Sequence, residues 1–154
     1  MHTIRLRGPW QLEPVYRYVP RGDGRYAVQT DELPPAAKMT MPADWSDAFG
    51  PAFRGRVRYV RVFHAPPGLV PEERVWLVVE PQRTLARVAM AEEMLGTVAA
   101  TGSRGRWDIT HRLSETNRLE IFVDHPALEN GQIAMGDPVQ PGGLVGEVRL
   151  EIEE

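Results

Sequence analysis

Proline and glycine punctuate this chain so evenly that no long helix fits between them. Fourteen of each are spread along 154 residues. Proline fixes φ and removes a backbone donor, and glycine opens turn conformations closed to other residues. Their spacing therefore cuts the chain into short strands joined by turns. The runs between the breaks are rich in β-branched and aromatic residues. Residues 56–64 read Arg-Val-Arg-Tyr-Val-Arg-Val-Phe-His, and 74–80 read Arg-Val-Trp-Leu-Val-Val-Glu. In 117–124, Leu119, Ile121 and Val123 fall on one face, with Glu120 and Asp124 on the other. In 147–152, Val148, Leu150 and Ile152 oppose Glu147, Arg149 and Glu151. Alternation of this kind marks antiparallel strands with one buried face.

Weaker strand signals occupy 3–7, 10–15, 16–19, 25–29 and 38–41. A Gly22-Asp23-Gly24 turn precedes 25–29. Residues 42–50 read as a loop or one helical turn. Segments 85–90 and 97–100 read as a hairpin, with Ala91-Glu92-Glu93-Met94 between them, and 124–140 as one long loop. About eight to ten antiparallel strands result, and the expected fold is an all-β jelly-roll sandwich occupying residues 1–154 as one domain.

Composition removes several functions. The length is far below the roughly 250 residues of a (β/α)₈ barrel. The chain has no cysteine, so disulfides and thiolate metal sites are impossible. Zero cysteines and no visible signal peptide slightly favour the cytoplasm, although a secreted domain without its leader would read the same way. No run approaches the ~18 apolar residues of a membrane span. Net charge is −3, with the two signs interspersed. A nucleic-acid binder would show a basic excess, so no nucleic-acid partner is expected.

Seven short motifs follow one another along the chain: Gly8-Pro9-Trp10-Gln11-Leu12, Met41-Pro42-Ala43-Asp44-Trp45, Tyr59-Val60-Arg61-Val62-Phe63-His64-Ala65-Pro66, and the strand 75–80. Trp107-Asp108-Ile109-Thr110, Asn117-Arg118-Leu119-Glu120-Ile121-Phe122-Val123 and Gly142-Gly143-Leu144-Val145-Gly146-Glu147-Val148-Arg149-Leu150 complete the series. Their order resembles the N-terminal sugar-binding domain of family 2 glycoside hydrolases, a galactose-binding-domain-like jelly roll. The resemblance implies a sugar-binding fold without the family's catalytic barrel, which carries its two glutamates. It also implies an Asp ahead of the Gly142-Gly143 turn, a place near Asp137, although the intervening spacing differs. Where the family's central hairpin carries Asn-Gly, this chain has Ala91-Glu92-Glu93-Met94.

Read directly, the residues offer little chemistry. Glu72-Glu73 and Glu92-Glu93 are sequence neighbours in turns, a poor arrangement for carboxylates that must face each other across a glycosidic bond. His2, His64, His111 and His125 form no metal-binding spacing. Jelly rolls can hold a structural calcium ion, but no acidic loop supports one here, and no cofactor is expected. Thr101-Gly102-Ser103-Arg104-Gly105 lacks the first glycine of a nucleophile elbow. Arg21-Gly22-Asp23 reads as a turn.

The ligand-binding candidates are Trp45 and Trp107, as aromatic planes, and His125, Glu129, Asn130 and Asp137 of the long loop. Polar groups beside an aromatic plane suit sugar recognition; the competing expectation is that both tryptophans pack in the core. Two functions are expected: a non-catalytic carbohydrate-binding module or, alternatively, a protein-interaction or assembly module, with a protein partner or a second copy.

Overall fold

Alternation in the sequence becomes two sheets packed face to face. The computed structural model describes residues 1–154. The strands are β1 (His2–Arg5), β2 (Trp10–Pro20), β3 (Tyr26–Gln29), β4 (Ala37–Met39) and β5 (Ala43–Asp44), followed by the single-turn helix α1 (Ser46–Phe49). Then come β6 (Gly55–His64), β7 (Arg74–Val79), β8 (Leu85–Met90), β9 (Glu93–Val98) and β10 (Gly105–Asp108). The last are β11 (Thr116–His125), β12 (Ala127–Glu129), β13 (Gln132–Met135), β14 (Gly143–Leu144) and β15 (Val148–Glu153). One sheet has the order β1-β15-β7-β10. The other has the order β3-β2-β6-β11-β8-β9, with β4 also paired to β2. All pairings are antiparallel. The all-β jelly-roll sandwich expected from the sequence is the fold observed.

The inward residues are those the alternation selects. Val57, Tyr59, Val75, Leu77, Leu119, Ile121, Val123 and Leu150 are all buried. They belong to one cluster of 24 buried side chains between the sheets. Trp10 joins them at the start of β2, its Nε1 donating to the Leu6 carbonyl at 2.7 Å. Many outward positions are charged and paired. On the four-stranded sheet Arg149 donates to Glu80 at 2.6 Å and to Glu151 at 2.9 Å, and Arg106 lies 3.8 Å over the Trp76 ring. Burial alone would raise the Glu151 carboxyl, but the Arg149 bonds and nearby arginines hold it below its ordinary range.

The short motifs close turns. Thr110 donates through its amide and its hydroxyl to Asp108 Oδ1, at 3.0 and 2.6 Å. The Thr110 hydroxyl in turn accepts from the Val75 amide at 2.8 Å, which ties the turn to β7. Asn117 Oδ1 accepts from the Ser114 amide at 2.8 Å, while its Nδ2 donates to the Ser114 carbonyl at 2.9 Å.

The structure corrects the strand count and three boundaries. Fifteen strand segments replace the eight to ten expected, because two- to four-residue pieces too short to carry a period add to the main strands. Residues 10–20 form one strand with a bulge between Pro14 and Tyr16, not two strands. The hairpin partner of β8 begins at Glu93, so only Ala91 and Glu92 form the turn. The expected loop 124–140 holds the end of β11 and the β12–β13 hairpin, whose two-residue turn is Asn130-Gly131.

Candidate functional site

The segment after β13 crosses one end of the sandwich as loop 137–142, and its backbone is unusually well held. The Asp137 carbonyl accepts from His125 Nε2 at 3.0 Å, and the Gln140 carbonyl accepts from the same nitrogen at 2.7 Å. Arg54 donates through Nε to the Pro138 carbonyl at 2.8 Å and through Nη2 to the Val139 carbonyl at 3.2 Å. Arg83 Nη1 donates to the Pro141 carbonyl at 2.8 Å. The Trp45 amide donates to the Gly142 carbonyl at 3.0 Å. Six consecutive carbonyls are thus engaged from beneath. Loops are normally solvated on their backbone polar groups; this one is fixed by other side chains and presents its own outward. The Asp137 carboxylate adds a local brace, accepting from the Val139 amide at 2.9 Å, and Val139 is 83% exposed.

The post under this loop is aromatic. Trp45 packs edge-on against Phe53, with centroids 5.5 Å apart, and against His125, 6.3 Å apart. Its Nε1 donates to the Phe53 carbonyl at 3.1 Å. Gly142 is required by this packing, since a methyl group there would come within 2.4 Å of His125 Cβ and 2.8 Å of the Trp45 ring. His125 meets two carbonyls through Nε2. Carbonyls only accept, so the hydrogen is on Nε2 and Nδ1 is the bare nitrogen. Nδ1 is buried with no partner. Burial lowers the imidazole pKa; the Gln140 and Asp137 carbonyls push the other way, while Arg54 and Arg83 reinforce the lowering.

These positions revise the candidate residues. Trp45 is fully buried, and its ring is a core side chain that offers no plane to a ligand. A tryptophan four residues before an aromatic at the helical turn is drawn inward by its apolar area. His125 is also fully buried and ends β11; it supports the loop without being exposed on it. Trp107 is half-buried in the corner between β9 and β10. Methyl groups at Gly96 or Gly105 would come within 2.9 or 2.2 Å of its ring, so the indole lies against two glycines. Asp137 is exposed on the fixed loop. Glu129 and Asn130 are exposed at the β12–β13 tip, where the Gly131 carbonyl accepts from the Tyr26 amide at 2.8 Å. The structure thus joins Trp45, His125 and Asp137 in one assembly, carries Glu129 and Asn130 on the adjoining hairpin, and leaves Trp107 apart. Sequence reasoning missed Arg54 and Arg83. The only available signal was a surplus of arginines around residues 54–61, which does not reveal carbonyl partners far along the chain.

No protein-family model matches the chain, and no curated protein matches it in sequence. Solved structures do match in fold. An FMN-binding β-glucuronidase from Faecalibacterium prausnitzii L2-6 superposes with a TM-score of 0.70 at 23% identity, over 98% of this chain and 22% of that one. A Bifidobacterium dentium β-glucuronidase, solved with coumarin-3-O-glucuronide, gives 0.70 at 19% identity over 97% of this chain and 29% of that one. A family 2 β-galacturonidase from Eisenbergiella tayi, bound to galacturonate, gives 0.64 at 17% identity over 97% and 24%. The chain spans under a third of each enzyme's length. The resemblance drawn from the motifs is therefore borne out in fold: this chain has the sandwich that forms one part of these larger glycosidases.

Proposed function

We propose that the chain is a non-catalytic carbohydrate-binding module whose recognition element is loop 137–142. The observation that carries this reading is the engagement of six consecutive loop carbonyls by His125, Arg54, Arg83 and Trp45. A loop already fixed in place loses little conformational entropy on binding. Asp137 has one carboxylate oxygen committed to the Val139 amide, which leaves the other to accept from a sugar hydroxyl. Glu129 and Asn130 add polar groups on the adjoining hairpin. The glycosidases with the same sandwich act on or bind sugars, by their names, and this supports the ligand class. A non-catalytic role is supported by the match to under a third of those enzymes.

The test is a thermal-shift and calorimetric screen against mono- and oligosaccharides. One sugar class is expected to raise the unfolding midpoint saturably, because binding to the folded state alone stabilises it. Asp137→Ala should weaken that binding at least fivefold without changing the stability of the free protein by more than about 1 kcal/mol. Silence at millimolar sugar would sink this reading. A second reading, a protein-interaction module, is favoured by Val139, an apolar side chain 83% exposed on a rigid loop. Apolar side chains anchored in that way suit interface anchors.

A further inference from the structure

Away from the loop, two adjoining grooves run along the outer surface of the seven-stranded sheet, beside β4. One has a volume of about 270 Å³ and the other about 220 Å³. They share Gln11 and Lys38, so they form one trough. The register explains its make-up. Gln11 pairs with Lys38 on one side and with Val60 on the other, and Val62 pairs with Arg118. Period two therefore brings Gln11, Lys38, Val60, Val62 and Arg118 to the same outer face.

The charge in this trough differs from that over most of the two sheet faces. Outward arginines are generally tied to carboxylates, as with Arg56 to Asp124, Arg74 to Asp108, and Arg149 to Glu80 and Glu151. The trough is lined by Lys38, Arg61 and Arg118 and by no acid. Lys38 and Arg61 have no carboxylate within 4.0 Å, whereas Arg118 reaches Glu120 through Nε alone, at 3.1 Å. The nearest acids along the face, Glu13 and Glu120, are drawn to Arg58. Arg61 belongs to the other face of β6, the face of Tyr59, Phe63 and its partner Leu119, and it donates through Nη1 to the Val62 carbonyl at 2.8 Å, so the trough's charge rests on Lys38 and Arg118. A concave surface lined by one sign of charge concentrates counter-ions. The floor is apolar: Val60 is 7% exposed and Val62 47%.

We propose that this trough is a binding site for a small oxyanion-bearing ligand, one that carries a carboxylate or a sulfate on an apolar-faced body the size of a sugar ring. Lys38 supplies a compact, freely placed charge, and Arg118 supplies the free arm of a planar donor fork. The amide of Gln11, already donating to Glu13 at 3.0 Å, keeps its oxygen for a hydroxyl of the ligand body. This inference does not rest on loop 137–142 binding sugar.

Lys38 is the only lysine in the chain, so it can be read alone. Reductive dimethylation with ¹³C-formaldehyde keeps the positive charge and gives resonances only at Lys38 and the Met1 amine. Sodium sulfate and sodium glucuronate should each move the Lys38 resonance along a saturating curve at fixed ionic strength, leaving Met1 unmoved. Glucose, which has the same ring and no charge, should not move it. The comparison of sulfate with glucuronate identifies which oxyanion is preferred. Arg118→Gln, on an exposed strand position, should weaken the curve at least fivefold. A linear drift that Met1 shares and chloride reproduces would overturn the proposal, as would equal binding of glucose or an unchanged curve in R118Q.

Discussion

The β8–β9 hairpin and the segment from β12 to Gly142 make an instructive pair. Both turn through two residues with positive φ. At β12–β13 these are Asn130 at 54° and Gly131 at 77°; at β8–β9 they are Ala91 at 51° and Glu92 at 66°. The left-handed region costs little for asparagine and glycine and about 1–2 kcal/mol for residues with an ordinary Cβ. Yet β8–β9 belongs to the main sheet, where β8 pairs along its length with β11, whereas β12–β13 is an isolated two-stranded ribbon. A hairpin anchored through one strand in the main sheet tolerates poor turn residues because ladder and core hold it. A peripheral one needs favoured turn residues at its tip and, beyond them, the braces His125, Arg54 and Arg83 under the following loop.

The largest effect that would break this contrast comes from removing the post beneath the braced segment. Trp45→Ala should destabilise the protein by about 3–5 kcal/mol, the usual cost of deleting a large buried aromatic. Urea unfolding measures the loss. Native-state hydrogen exchange should show faster opening in 126–142 and little local change in 85–98. Equal acceleration in both segments would mean that Trp45 supports the whole core and not this region in particular.

Legibility in the sequence followed the same division. Strands such as 117–124 and 147–152 were readable because one face is buried and the other wet, which imposes period two. Trp45 could be read two ways: its place beside a turn allowed exposure, while its apolar area argued for the core, where it lies. The Asn130-Gly131 hairpin was hidden because its flanking strands, Ala127–Glu129 and Gln132–Met135, are too short for a period to register. Asp137 was legible as a polar loop residue and through the resemblance. Its rigid setting was not, since Arg54 lies 83 residues before it and carbonyl acceptors carry no residue signature. The β8–β9 turn was blurred because Ala91-Glu92 gives none of the usual turn chemistry.

Repairing that turn sharpens the comparison with an intermediate effect. Replacing Ala91→Asn together with Glu92→Gly gives β8–β9 the residues that the peripheral hairpin already has. Relief of two left-handed residues, less the entropy that glycine adds to the unfolded chain, should leave a gain of about 1 kcal/mol. That corresponds to a midpoint rise of roughly 2–4 °C at this size, read by calorimetry. No gain would show that strand twist and the Glu93–Arg112 ion pair at 2.5 Å set the turn conformation at no cost.

The smallest expected effect concerns protons. Burial, with Arg54 and Arg83 nearby, holds the His125 pKa below its ordinary value of 6.5, against the opposing pull of the Gln140 and Asp137 carbonyls. The unfolded chain therefore takes up a proton at this residue at a higher pH than the folded chain does. Stability is fully present above about pH 6.5 and declines as pH falls from there toward the folded value. Asp108, lowered by its Thr110 bonds and by Arg74, acts in the same direction, but only below the ordinary carboxylate range. The two windows are separate. His125→Gln keeps a side-chain N–H for the loop carbonyls and does not titrate. Its stability curve should be lower at pH 7 and flatter between pH 7 and 5, with the steep loss below pH 4 retained. If the slope between pH 7 and 5 matches the parent's, the imidazole is not what couples the braced loop to pH, and the arginines alone hold it.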